Sequence, residues 1–437
     1  MARVGMRFVT GLVIAFLVGG GSLVLAGKDP GPGNGSGGAT ATDCSFAEIG
    51  KTWRLTADCK TTETIVVPDG YTLDGDGHTI TAVEDSVGAW VGPIVTNGGK
   101  KAGVVNVILQ TEGLECSCKG GAERLQGIRI ENAQGEIRDN VILAINKGEC
   151  PCQEGIGIVV SNAADDGDCE PDGSGGVSDC SPRSRVSVTG NMVLGFQKGG
   201  IVASGRVDVG ISGNEVRGAG AIDYNAQNGI QVAYGAAGSV DGNAVADHEY
   251  SGLDDAIATG ILVFETDSVT VRRNHLIDDQ VGIAAEAWCY VDDSANDNRI
   301  ENNNVDGSTF GISVAALAYD EPFSNCDASA NNNRIRNNSV VSTDGEIGIF
   351  VGAEQLCDAC AFVPEATGNV LARNRVVGFA EPIVAERAAL GTTRPPAFSW
   401  LPGARARGGE VPLRFDVDVD RPDADRDSRA KVSPWVP

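Results

Sequence analysis

The sequence predicts an all-β solenoid, a chain of short strands wound into stacked turns, and three observations predict it. Two short patterns alternate along most of the 437 residues. The first is Gly-Ile, at Gly127, Gly157, Gly200, Gly229, Gly260, Gly282, Gly311 and Gly348. The second is Asn with an aliphatic residue two places on, at Asn140, Asn191, Asn214, Asn243, Asn274, Asn303, Asn338 and Asn374. One member of each falls in each period, and the shorter periods run from 22 to 31 residues. Single polar residues separate β-branched ones in Val186-Ser-Val188 and Val269-Thr-Val271, which is strand alternation, and helical periodicity is missing throughout. Each period then supplies three short strands with aliphatics alternating inward. An Asn closes the turn, because Asn tolerates a left-handed bend and stacked Asn amides can bond along the axis. Stacked turns pair in parallel, so each turn buries its aliphatics against its neighbours.

Taken in order, residues 1–26 pair Arg3 and Arg7 with an apolar run from Phe8 to Val18 and end in Val24-Leu25-Ala26, the pattern of a secretory signal peptide. An uncleaved N-terminal anchor is the alternative. Residues 27–43 are a Gly/Pro/Ser linker. The solenoid occupies 44–387, and 388–437 is a Pro-rich tail of mixed charge without the repeat, expected to be disordered. No segment after the signal peptide is apolar enough to span a bilayer. The expected location is therefore secreted or extracytoplasmic.

Twelve cysteines in an exported chain point to disulfides. Cys44 and Cys59 bracket the start of the folded region, Cys169 and Cys180 bracket a Gly/Asp-rich excursion, and Cys357 and Cys360 form a short local pair. Cys289 and Cys326 each follow a Gly-Ile strand in adjacent turns and are expected to bridge. Cys116, Cys118, Cys150 and Cys152 form two C-x-C elements before consecutive Gly-Ile strands. They fit either two staples between turns or a four-thiolate zinc site. The formal charge of −25 opposes nucleic acid and anionic membrane surfaces as partners.

The alternating Gly-Ile and Asn-x-aliphatic steps, with the opening Thr64-Ile-Val-Val-Pro-Asp-Gly-Tyr-Thr-Leu-Asp-Gly-Asp-Gly-His-Thr-Ile80, resemble the right-handed parallel β-helix proteins of the pectate lyase-like superfamily. The likeness covers about residues 50 to 387. It implies a single right-handed parallel β-helix of about ten turns, stapled by disulfides. It also implies an active groove along the outer face of one sheet and its flanking loops. The Gly-Ile strands are the expected sheet, with Arg129, Glu131, Gln231, Phe264 and Glu286 among the residues that point outward from it.

The loops entering those strands carry most of the chemistry. They hold Asp223-Tyr224, then Asp247-His248-Glu249-Tyr250 with Asp254-Asp255, then Asp278-Asp279. If they stack on consecutive turns, Asp254, Asp255, Asp278 and Asp279 are the candidate acid and base of a glycoside hydrolase, which needs two carboxyls about 6.5–9.5 Å apart when inverting. Clustered carboxylates also suit calcium, and a solvated acidic ridge is the plain alternative. Asp223, Tyr224, Asp247, His248, Glu249, Tyr250, Phe264 and Glu286 are the candidate ligand contacts. Of the polygalacturonase elements only Asp-Asp is present; Asn-Thr-Asp, Gly-His-Gly and Arg-Ile-Lys are missing. Arg299 and Arg334, each in Asn-Arg-Ile, are expected to pair at the surface with Glu301 and Asp297. The expectation is binding, with or without processing, of extracellular polysaccharide, a class implied by the resemblance. The alternative is a non-catalytic structural or adhesive surface protein.

Overall fold

In a computed structural model the described residues are 42–84, 88–119, 123–162, 183–253, 256–288, 294–318, 328–355 and 364–385. The expected signal peptide, most of the linker and the tail lie outside them. So do Asp254, Asp255, Cys169, Cys180, Cys289, Cys326, Cys357 and Cys360.

One turn shows the plan. Strand Gln126–Glu131 carries a Gly-Ile step, Gln134–Arg138 follows after a tight bend, Val141–Leu143 follows the first Asn, and a loop returns the chain to Ile156–Asn162. Each strand pairs in parallel with its equivalent one turn on: Gln126–Glu131 with Ile156–Asn162, Gln134–Arg138 with Ser184–Thr189, and Val141–Leu143 with Met192–Leu194. Repetition builds three faces. The middle strands form a 12-stranded sheet. The Gly-Ile strands and the strands after each Asn join into a 20-stranded sheet, because Ser339–Gln355 and Arg375–Ala385 run through the corner between them. Parallel strands linked by crossovers within one sheet take the right hand, so the molecule is a right-handed parallel β-helix. An antiparallel pair, Phe46–Ile49 with Thr52–Leu55, covers the N-terminal edge of the 12-stranded sheet. Phe46 stacks on Trp53 at 5.3 Å, and a Cys44–Cys59 disulfide closes this cap.

The core is a set of aliphatic columns. Ile128, Ile158, Ile201, Ile230, Ile261 and Ile283 occupy one register position on successive turns and are fully buried. Each such side chain contributes about 1.5–3 kcal/mol by leaving water. The glycine before each Ile has a steric cause. A Cβ on Gly157 would lie 2.4 Å from Val193 Cγ1 and 2.7 Å from the Gly200 carbonyl, so the strand after each Asn can pack tightly into the corner. Gly157→Ala is expected to cost about 1–3 kcal/mol, the range for overpacking a dense core, read as a lower denaturation midpoint at unchanged slope.

The Asn pattern has an equally local cause. The residue before each Asn is left-handed, for example Asp139 (φ 56°), Arg273 (φ 56°), Asn302 (φ 57°) and Arg373 (φ 56°). This bend turns the Asn amide into the core. Asn140, Asn191, Asn214, Asn243, Asn274, Asn303, Asn338 and Asn374 form one unbroken ladder in which each Nδ2 donates to the next Oδ1 at 2.9–3.0 Å. A second buried set, Asn298, Asn333 and Asn369, caps backbone N–H groups at the entrance to the middle strands, with Oδ1 accepting at 2.8 Å.

The C-x-C elements are staples between turns: Cys116 pairs with Cys150 and Cys118 with Cys152. Beneath them lies a buried ion pair, Lys147 Nζ to Glu154 Oε2 at 3.3 Å, with both side chains fully enclosed. Lys147 also donates to the carbonyls of Trp90 and Ser117 at 3.1 Å, and Glu154 accepts from the Leu125 N–H at 2.6 Å. That saturation is what makes a buried pair tolerable.

Candidate functional site

The acidic loops do not form one ridge. Asp247 and Asp278 occupy equivalent positions on consecutive turns, one residue after the paired Ala246 and Ile277. Both are left-handed, at φ 63° and 53°, where other turns place Ala144, Gly195 or Gly307. Their shared position is therefore explained by turn chemistry, since Asp tolerates this backbone conformation. Asp223 is exposed but follows Ile222, which pairs with Tyr250, so it stands elsewhere in the repeat. Asp247 lies 3.4 Å from Arg217, Glu249 is exposed and Tyr250 half-buried.

His248 and Asp279, expected on the surface, point into the core. Their side chains are fully enclosed and joined by a 2.6 Å bond between His248 Nδ1 and Asp279 Oδ1. The reason is geometric: the left-handed residues Asp247 and Asp278 turn the next side chain inward. Phe196 stacks on the His248 ring at 5.7 Å. A Cβ on Gly218, in the turn between them, would meet His248 Cδ2 at 3.0 Å. Asp279 Oδ2 lies against Gly260, 2.5 Å from where a Cβ would stand. Among the described residues neither His248 Nε2 nor Asp279 Oδ2 has a hydrogen-bond partner. Burial pushes the Asp279 carboxyl above the usual carboxylate range, against the opposing pull of His248.

The outer face of the Gly-Ile sheet divides into two stretches. From Tyr234 towards the C-terminal turns it is covered and apolar: Phe264 meets Trp288 edge-on at 5.2 Å and Tyr234 at 5.7 Å, beside Leu262, Ala284, Ala315 and Leu317. Phe264 and Glu286, expected as open groove contacts, are each only 2% exposed. Glu286 accepts from Ser313 Oγ at 3.0 Å and Trp288 Nε1 at 3.2 Å, and burial raises its pKa.

Over the earlier strands the same face is polar. The register places Arg129, Val159, Val202 and Gln231 in one row, and Glu131, Ser161, Ser204 and Ala233 in the next. Gln126 and Asn228 stand outward at the strand starts, and Asn228 Nδ2 donates to Gln231 Oε1 at 3.2 Å. Arg129 is paired with Glu131. Gln126 Oε1 and Arg124 Nε are buried without a hydrogen-bond partner among the described residues. At the edge, Lys198 Nζ donates to the Ala226 carbonyl at 2.5 Å. Desolvation, with the Arg124 charge second, brings its ammonium down to about 7. The loop above is held by Asn225 Nδ2, which donates to the Cys152 carbonyl at 2.6 Å. Tyr224 beside it is kept a neutral phenol by burial first, then by Glu149 and Asp223. Sequence reasoning missed Lys198, Arg124, Gln126 and Asn228; the signal was a polar residue one to three places ahead of a Gly-Ile step.

Among the described residues, the groups of three or more His, Cys, Asp or Glu with ligand atoms in mutual reach are Cys116, Cys150, Cys152 and Asp43, Cys44, Cys59. Their sulfurs are spent in disulfides, so the zinc alternative does not hold. The expected pairing of Arg299 and Arg334 also differs: Glu301 bonds Arg336 at 2.8 Å, one strand over, and among the described residues no ion pair holds Arg299 or Arg334.

The family model described as "Right handed beta helix region" matches residues 175–362. No curated protein matches the chain by sequence. Among solved structures, the periplasmic alginate epimerase AlgG is similar at 13% identity and a TM-score of 0.48 over 79% of this chain and 78% of that one. The A-module of an Azotobacter vinelandii mannuronan C-5 epimerase is similar at 13% identity and 0.39 over 79% and 89%. A Yersinia enterocolitica family 28 exopolygalacturonase gives 12% and 0.32 over 80% and 72%. At these levels the likeness carries no argument.

Proposed function

We propose that the protein binds an extracellular polysaccharide across the polar stretch of the Gly-Ile face, between Gln126 and Gln231. The observation that carries this reading is a set of outward donors and acceptors on successive parallel strands. Such strands lie about 4.8 Å apart, which suits a ligand of repeating hydroxyl and carboxylate groups. The half-buried Ser161 and Ser204 supply hydrogen bonds beside the nearly enclosed Gln126, Asn228 and Gln231, and the half-buried Arg124 and Lys198 add positive charge at one edge of an acidic molecule. Calcium joins the reading as a bridge for acidic glycans at the exposed carboxylates Asp223 and Asp278.

The test is retention of a panel of uronate and neutral oligosaccharides, with and without calcium, followed also for reducing ends and unsaturated products. Retention of a uronate oligomer is expected to weaken at least tenfold in Lys198→Met. Because Lys198 is protonated below about 7 and neutral above, binding by the native protein should fall between pH 6 and pH 8.5, and the variant should lose that dependence. If no glycan is retained, the structural or adhesive reading replaces this one. Should cutting appear, Asp254→Asn, Asp255→Asn and Asp278→Asn test these three carboxylates; undiminished cutting in all three removes them as acid or base.

A further inference from the structure

We infer that the outer face of the 12-stranded sheet carries a second glycan site, in which Arg299 and Arg334 hold the carboxylates of an acidic polysaccharide. It lies apart from the Gly-Ile face and rests on the function proposed above for the class of ligand alone. This face is open. In Ser184–Thr189, Val207–Ser212, Thr270–Arg272, Arg299–Glu301 and Arg334–Arg336 every second residue is buried, and those between are exposed or half-buried. The outward residues form two rows along the axis, stepping about 4.8 Å per turn.

The two rows treat charge differently. One neutralises itself: Asp241 bonds Arg272 at 3.0 Å, and Glu301 bonds Arg336 at 2.8 Å. The other runs Ser187, Gly210, Ser239, Thr270, Arg299, Arg334 in continuous register, first small and hydroxyl-bearing, then cationic. Arg299 and Arg334 are direct partners on neighbouring strands, both exposed, and among the described residues no ion pair holds either. Like charges directly opposite destabilise a sheet. A chain with 59 acids to 34 bases has the means to answer them and does so one row over, yet leaves this pair unanswered. Of the acids on the same segment, Glu301 is taken by Arg336, and Asp297 is exposed and joined to neither arginine. Arg373 stands at the adjoining corner, left-handed at φ 56° where the two preceding turns place Asn302 and Asn337. Asn suits that conformation and Arg does not, so turn chemistry does not account for a third exposed guanidinium beside the pair.

The ligand follows from the row itself. A guanidinium offers a carboxylate two parallel N–H donors, so two of them a strand apart fit acidic groups on one extended chain. Screening limits charge attraction to about 8 Å at physiological ionic strength, so a molecule of charge −25 can still hold an anion by contact at this point. Ser187, Ser239 and Thr270 add hydroxyl partners in line with the arginines, which suits a sugar acid rather than a lipid headgroup or an acidic peptide.

Calorimetric titration of the full-length chain with a uronate hexamer tests this at pH 8.5, where Lys198 is neutral and the Gly-Ile face contributes least. Arg299→Gln/Arg334→Gln is expected to weaken binding there at least tenfold, while Lys198→Met leaves it unchanged. Both arginines are exposed, so the solenoid folds without them. At pH 6 the native chain should take up two hexamers, and each of these variants one. Native-like binding by the arginine variant at pH 8.5 would overturn the inference. Displacement of the hexamer by equimolar inorganic sulfate would overturn it too, since the pair would then be a simple anion contact. Loss of binding in the arginine variant, with Lys198→Met silent at pH 6, would remove the Gly-Ile site and leave this one standing.

Discussion

Asn243→Leu is expected to lower the unfolding free energy by about 3–5 kcal/mol, although leucine is larger and more apolar than the residue it replaces. Asn243 Oδ1 accepts from the Asn214 N–H and from Asn214 Nδ2, both at 2.9 Å. Its Nδ2 donates to the Ile211 carbonyl at 3.1 Å and to Asn274 Oδ1 at 2.9 Å. The substitution strands the Asn214 N–H and one N–H of its amide, whose other bond to the Val188 carbonyl remains, and takes a donor from the Ile211 carbonyl, in a site 1% exposed. Each such orphan costs about 1–3 kcal/mol, and burying the extra methyl groups offsets part of the total. The measurement is denaturant unfolding of the variant beside Asn274→Leu and the double variant. Shared bonds should make the two losses less than additive. Additive losses, or a single loss below 1 kcal/mol, would show that the ladder does not act as a connected unit.

His248→Ala is expected to cost about 3–5 kcal/mol at neutral pH, the range for breaking a buried pair on one side. The variant keeps only the backbone N–H of residue 248, at 3.2 Å, on Asp279 Oδ1 and loses the ring that stacks on Phe196. The pH dependence has a definite sign. Burial holds the Asp279 pKa above that of the unfolded chain, so the folded protein binds this proton more tightly. The contribution is fully present below about pH 4, the unfolded aspartate value, and is lost as pH rises through the folded pKa. Without His248 the carboxyl loses the partner that opposes the rise, so the penalty of His248→Ala should be larger at pH 8 than at pH 4. Asp279→Asn keeps a hydrogen bond to Nδ1 without the ionisable group and should be the less pH-sensitive protein. Equal penalties for His248→Ala at both pH values would contradict the assignment of Asp279 as the responsive group.

The solenoid was legible in the sequence because its two repeating elements are one-residue constraints. Gly157 and its equivalents exist because a Cβ collides with the neighbouring corner, and Asn243 and its equivalents exist because an interior amide must bond to the next turn. Neither depends on how long the intervening loops are, so both survive periods of unequal length. The site is of another kind. Asp278 and Asp279 are neighbours in sequence, yet a left-handed bend sends one to solvent and the other into the core. Adjacent acids therefore say nothing about a shared surface until the bend is known. Phe264 and Glu286 point away from the core as the alternation requires, but other side chains cover them, and coverage is not a property of the strand that carries them. The polar stretch escaped notice because Lys198, Gln126 and Asn228 stand ahead of their Gly-Ile steps and are outward only because of the corner packing there.

The Asn ladder also gives the solenoid an electrical polarity. The side-chain amides are aligned: from Asn140 to Asn338 one N–H of each is directed to the Oδ1 of the next turn's Asn, ending at Asn374. Their dipoles add head to tail, and each bond in a low-dielectric interior polarises the next. β-sheets ordinarily carry little net dipole, so this file of amides is an axial source in its own right. Its oxygen end lies at Asn140, near the disulfide staples. The nitrogen end lies at Asn374, giving the C-terminal pole of an acidic molecule a fixed partial positive charge that no change of pH removes.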